Sequence, residues 1–112
     1  MRAQKKHTAK SKAKDYQKYL IESLKDPAEA VEYLNVSLEE AGDLPELFLV
    51  ALRNVAEAHG IGRLAKKTKL NREYLYTMLS KHGNPRYQSL IRLLQAMGIR
   101  LAFELEEHKK AG

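Results

Sequence analysis

No cysteine occurs anywhere in the 112 residues. A disulfide framework and a thiolate metal site are therefore excluded, and a reducing cytosol fits. No apolar run approaches the roughly 18 to 20 residues that carry a helix across a bilayer. The N-terminus, MRAQKKHTAKSKAK, is lysine-rich but has no apolar core behind it, so it does not read as a secretory signal. A soluble protein of the cytoplasm is expected, with no membrane partner. Catalytic chemistry is poorly provided for as well. His7, His59, His82 and His108 are scattered over the N-terminus, helix ends and a loop, with no two at helical ligand spacing. No Ser/His/Asp arrangement, phosphate-cradling glycine loop or pair of acids in an apolar setting stands out. No catalytic residue, metal or cofactor is assigned. At this length the chain has room for one domain, burying about two thirds of its unfolded surface, and an elaborate enzyme is not expected.

Charge is present in plenty, and it is segregated. The net charge is +6. Residues 1–14 carry six Lys/Arg and no acid, whereas residues 15–57 carry ten acids and three bases. Residues 58–100 then carry nine bases and a single acid, Glu73. An acidic first half and a basic second half suggest a polyanion-binding face on one part and a separate surface on the other. Residues 1–14 have little to bury and repel themselves, so they read as a disordered basic arm. The arm is either a solubilising tail or a contact for nucleic acid phosphates.

Ordered structure is expected from Asp15. Tyr16, Tyr19, Leu20 and Leu24 recur at helical spacing and mark one apolar face. Asp26-Pro27 starts a second helix, with Asp26 as cap, Pro27 in the first turn and Glu29 at capping-box spacing. Ala30, Val31, Leu34, Leu38 and Ala41 should face inward, and Gly42 ends the helix. A third helix begins at Asp43-Leu44-Pro45 and carries the stripe Leu47, Phe48, Ala51, Leu52 and Val55, ending at His59-Gly60. Shorter helices follow over about 62–68, 72–80 and 87–97. The fifth and sixth are separated by the turn-rich His82-Gly83-Asn84-Pro85. After Gly98 the period changes to two. Ile99, Leu101, Phe103 and Leu105 alternate with Arg100, Ala102, Glu104 and Glu106, the pattern of a strand with one apolar face. A lone strand must pair. The same strand of a second copy across a two-fold axis is the economical partner, giving a homodimer. A fraying extension, or a strand awaiting another protein, is the alternative.

Within LAKKTKLNREYLYTMLS, Leu64, Ala65, Leu70, Leu75 and Met78 form the inward set of two short helices joined by a tight turn. Asn71 can cap the second of them. This is the hydrophobic code of a helix-turn-helix, and it presents Arg72, Glu73, Tyr76, Thr77 and Ser80 outward. Arg72 can pair with guanine, Asn71 or Thr77 can reach a base edge or phosphate, and Glu73 can accept from cytosine or orient Arg72. Tyr74 and Tyr76 can bond phosphates or serve as half-buried boundary residues. Lys66, Lys67, Lys69, Lys81 and Arg86 suit phosphate contacts, or are solvated charges. Ser80, Tyr87 and Gln88 join the phosphate set, the last two opening the sixth helix.

Residues 61–99, IGRLAKKTKLNREYLYTMLSKHGNPRYQSLIRLLQAMGI, resemble a helix-turn-helix of the lambda-repressor-like, Cro type. The joint occurrence of LKDPAEAVEYL, LNREYLY and GNPRYQSL is more specific. Over about Tyr16 to Leu101 the chain resembles the addiction-module antidote family of antitoxins. The expected fold is accordingly all-α: a compact lambda-repressor-like bundle of about six helices with a helix-turn-helix, plus one C-terminal strand. Residues 15–106 form a single domain: acidic helices over 15–42, the DNA-binding bundle over 43–98 and the strand over 99–106. Residues 107–112 form a tail. The resemblance implies a dimeric antitoxin of a type II toxin-antitoxin module in the bacterial cytoplasm, binding operator DNA, repressing its own operon and neutralising a cognate small toxin of the RelE/ParE type. It places DNA contacts on Asn71, Arg72, Glu73 and Thr77, with Tyr76 beside them. A basic toxin would face Asp26, Glu29, Glu32, Glu39 and Glu40; alternatively these acids only solvate outward faces and support helix N-termini. One departure is Lys69, which stands where such turns often have glycine. A positive φ there costs about 1 kcal/mol or more. Two other classes remain open, a stand-alone Cro-like regulator without a toxin and a helical interaction module that does not bind DNA.

Overall fold

The computed structural model describes residues 2–106, with side chains from Lys12 onward. The tail expected over 107–112 lies outside the described residues. Six helices are formed: α1 (Arg2–Ser23), α2 (Pro27–Ala41), α3 (Pro45–His59), α4 (Ile61–Thr68), α5 (Arg72–Met78) and α6 (Tyr87–Ala96). Among the described residues no helix is long and apolar enough to cross a membrane. α1 begins at Arg2 and so includes residues that the charge pattern assigns to a disordered arm. Lysine and alanine are good helix formers, and extending a helix already nucleated costs far less than starting one.

The acidic segment, residues 15–57, folds into the second part of α1 together with α2 and α3. Asp26 Oδ1 accepts the Ala28 N–H at 3.0 Å and Pro27 occupies the first turn, as the local sequence demands. α2 turns its small stripe Ala30, Leu34 and Ala41 inward, with Tyr33 and Ser37 partly covered. Val31 and Leu38, expected inside, are 41% and 51% exposed. The stripe runs 30, 34, 37, 41, which leaves positions 31 and 38 at its edge. Leu47 likewise stands outside, because α3 buries Leu49, Ala51, Leu52, Val55 and Ala56. At the end of α1 the core is met by Leu20, partly buried, and by Leu24 just past the helix, whereas Tyr16 and Tyr19 are exposed rather than packed. A polar chain ties the three helices: Gln17 Nε2 donates to Asn54 Oδ1 at 3.0 Å, and Asn54 Nδ2 donates to Tyr33 Oη at 2.9 Å.

α3 and α4 meet at one residue. Gly60, at φ +102°, sends its N–H to the carbonyls of Ala56 and Glu57, while its own carbonyl accepts from Leu64 of α4. A side chain there would force a backbone conformation that L-residues rarely adopt. Leu52, Val55, Leu64, Leu75, Leu79 and Leu93 are fully buried and join α3, α4, α5 and α6 around one core. Each such burial stabilises by roughly 1.5 to 3 kcal/mol. Gly83 closes the loop after α5 so tightly that a Cβ would overlap the Thr77 and Met78 carbonyls.

The C-terminal strand is not formed. Ile99, Leu101, Phe103 and Leu105 lie in an irregular segment after α6, and among the described residues there is no strand. The expectation of an all-α bundle plus a strand is corrected to a purely helical fold. Ile99 is taken by the helix stop: its N–H reaches the Leu94 carbonyl at 2.9 Å, and the Gly98 N–H reaches that of Gln95 at 3.0 Å, with Gly98 left-handed. The remaining residues meet no backbone edge to pair with, and a period-two pattern without a ladder makes no strand. Phe103 and Leu105 are 93% and 96% exposed.

Candidate nucleic-acid interface

α4 and α5 are joined by a three-residue turn, Lys69-Leu70-Asn71, whose geometry rests on side chains flanking it. Thr68 is buried; its hydroxyl donates to the Leu64 carbonyl at 2.7 Å and accepts the Leu70 N–H at 3.2 Å. Lys69 takes the left-handed conformation, φ 63° and ψ 24°, at the position where the sequence departs from glycine. Asn71 Oδ1 then accepts the Tyr74 N–H at 2.7 Å and starts α5. That oxygen is committed to capping, which leaves the Asn71 side-chain NH2 as its outward donor.

α5 buries Leu75 and Met78 and leaves Arg72, Glu73, Tyr76 and Thr77 exposed along one side. Tyr74 is the boundary residue of the two tyrosines, half-buried with its hydroxyl 3.1 Å from that of Ser89 on α6. Tyr76 is exposed, and the Arg53 guanidinium lies 5.3 Å from the centre of its ring. Arg53 Nε also donates to Glu57 Oε2 at 3.4 Å. Sequence reading missed Arg53. Its signal was available, since it is the one cation between Asp26 and Glu57. Arg72 folds back so that its guanidinium lies over Gly62 of α4, where a Cβ would overlap Nη2.

The cations expected around α5 separate into two groups. Lys69, Arg86 and Gln88 line one groove with Asn71, Tyr74 and Ser89, and Arg92 adds a third positive charge. Arg92 was not singled out from the sequence; its Nη1 donates to the Thr68 carbonyl at 3.5 Å, which aims it at the turn. Lys66 and Lys81 are exposed. Lys67 is engaged elsewhere, its Nζ 3.4 Å from the Ala96 carbonyl at the C-terminal end of α6, where a cation meets the negative end of the helix dipole. Ser80 donates its hydroxyl to the Thr77 carbonyl at 2.8 Å. Tyr87 is exposed but lines a different hollow with Ile91, Leu94, Leu101 and Phe103, apart from the cationic groove.

The acidic residues lie elsewhere, on α2 and the turn before it. Asp26 caps α2 and Glu29 sits in its first turn, so both have a local structural role. Glu32 and Glu39 border a shallow groove with Val31 and Val36, and Glu40 is exposed near the helix end.

Comparison with known proteins bears on what this arrangement serves. Residues 14–105 match the family model described as probable addiction module antidote protein. An uncharacterized protein of Haemophilus influenzae is 33% identical over 92 residues, covering 82% of this chain and 91% of the relative. No solved structure matches the chain. With residues 14–105 matched, 82% of its length, the chain belongs to the family of probable addiction module antidote proteins.

Proposed function

We propose that this antidote binds operator DNA through α4 and α5 acting as a helix-turn-helix, represses its own operon, and neutralises a small toxin of the RelE/ParE type. The reading is of a binding protein of the cytoplasm without a catalytic step. It acts on DNA as a homodimer, because two copies of one reading helix match two half-sites of an operator. The observation that carries the DNA part is the conjunction at α5. Arg72, Glu73, Tyr76 and Thr77 stand exposed on one side of a helix whose flanks carry Lys69, Arg86 and Arg92. Side chains that read base edges sit in the middle, and cations that neutralise phosphates sit beside them.

The test is a titration of the protein against a duplex spanning its own promoter, with a scrambled duplex as competitor, at two salt concentrations. Tight, selective and salt-sensitive binding is expected. Weak binding indifferent to sequence would leave the α4–α5 unit as a scaffold. The Arg72→Ala variant should lose roughly 1 to 3 kcal/mol of specific binding and relax preference at one base pair. Unchanged affinity would remove Arg72 from the reading set.

A further inference from the structure

We infer that the outward face of α2 is where this antidote seats its partner toxin, a protein presenting basic residues around an apolar centre. The inference rests on the antidote reading and specifies its protein-binding surface.

The face combines two features that an idle helix surface does not need together. α2 carries four glutamates and no Lys or Arg. Between them stand branched aliphatics: Val31 and Val36 are 41% and 42% exposed and share a shallow groove with Glu32 and Glu39. Val31 continues into an adjoining hollow that reaches Leu38 and Leu101 and has Arg100 and Glu104 in its lining, so the apolar strip extends past the helix while the one-signed rim belongs to α2 itself. Among the described residues the two ion pairs are Lys25–Glu22 and Arg53–Glu57, and neither uses a carboxylate of α2. An apolar strip rimmed by uncompensated charge of one sign is the anatomy of a protein interface whose partner brings the opposite sign.

A second copy of this chain is a poor occupant. A two-fold dimer sets the same patch against itself, so the glutamates of one α2 would oppose those of the other. Seating α2 on the basic half of another copy is head-to-tail, which does not close into a dimer. The face also shares no residue with the groove of Lys69, Arg86 and Arg92, so a protein there leaves the cationic groove open.

The test uses the purified protein encoded beside this chain as titrant in calorimetry, at two salt concentrations. Two double variants are compared with wild type: Val31→Ser with Val36→Ser, and Glu32→Lys with Glu39→Lys. All four positions are exposed, and melting curves check that both variants fold. Each should bind roughly tenfold or more weakly. The deficit of the charge-reversed protein should shrink at high salt, since screening removes the attraction it lost. Wild-type affinity in both variants would overturn the α2 surface and leave the antidote reading intact. Failure of the wild type to bind at all would take down both. A change in the sedimentation of either variant alone would make the face a contact between copies, and the inference would fall.

Discussion

Lys69 holds a left-handed backbone that few residues other than glycine adopt without cost. Its side chain is exposed and lines the cationic groove, so the charge sits where the turn needs a residue without a Cβ. Lys69→Gly should therefore raise stability by about 0.5 to 1 kcal/mol while weakening DNA binding. Thermal melting and the promoter titration read the two effects separately, and a lower melting temperature would contradict the strain. His59 makes a second point at this scale. Burial first, then the charges of Lys67 and Arg63, lower its pKa from the ordinary 6.5, although the end of α3 by itself favours a cation. The unfolded chain then binds more protons than the folded one between that lowered value and 6.5. The His59 contribution to stability is full above about pH 6.5 and declines as pH falls through that window. Denaturant melts from pH 7 to 5 should show a decline that His59→Gln flattens; an equal decline in the variant would assign it to other groups.

At the scale of the element, α5 depends on its cap. It is seven residues long, too short to hold itself in water, so its start and its packing decide whether it forms. Asn71→Ala removes the acceptor for the Tyr74 N–H and should cost about 1 kcal/mol, within a range of roughly 0.5 to 2. Asn71→Asp keeps that acceptor and loses the side-chain NH2. Stability should be retained in the Asp variant while any contribution of the amide to DNA recognition disappears. Comparing melts and promoter affinities across the two variants separates capping from reading, and a large stability loss in Asn71→Asp would contradict the cap geometry. The same scale explains what the sequence made legible. Asp26-Pro27, Gly60, Asn71 and Gly98 act through their own backbone neighbourhood, so the boundaries of α2 to α6 lie within a residue or two of those expected. The C-terminal segment shows the converse. Its alternation expresses a preference that needs a partner edge, and Ile99 had already been drawn into the stop of α6.

At the scale of the molecule, charge is distributed over separate surfaces, and the salt dependence of promoter binding tests which cations take part in the proposed DNA contact. Lys69→Ala, Arg86→Ala and Arg92→Ala should each weaken promoter binding across sequences and reduce the salt slope by about one. Lys67→Ala should leave the slope unchanged, because its ammonium is held at the end of α6. The opposite ranking would mean that the groove between α5 and α6 faces away from the duplex. Arg92 was illegible in the sequence because it is placed by an element remote along the chain, the Thr68 carbonyl of α4. Arg53 stands out in the sequence as a lone cation among acids, but its place over the Tyr76 ring of α5 is set by the packing of α3 on α5.

The sequence alone determined where five of the helices begin and end, that charge is segregated, and that Arg72, Glu73, Tyr76 and Thr77 share one side of a helix. Caps, glycines and periodicity act over a few residues and can be read without knowing the fold. Tertiary structure alone decided which edge of each apolar stripe is covered. Val31, Leu38 and Leu47 are as apolar as their buried neighbours, and the placement of the adjoining helices left them, with Tyr16 and Tyr19, exposed. It also gathered Lys69, Arg86 and Arg92 into one groove while holding Lys67 away. Packing sums contacts between residues distant in the chain, and a linear pattern does not contain that sum.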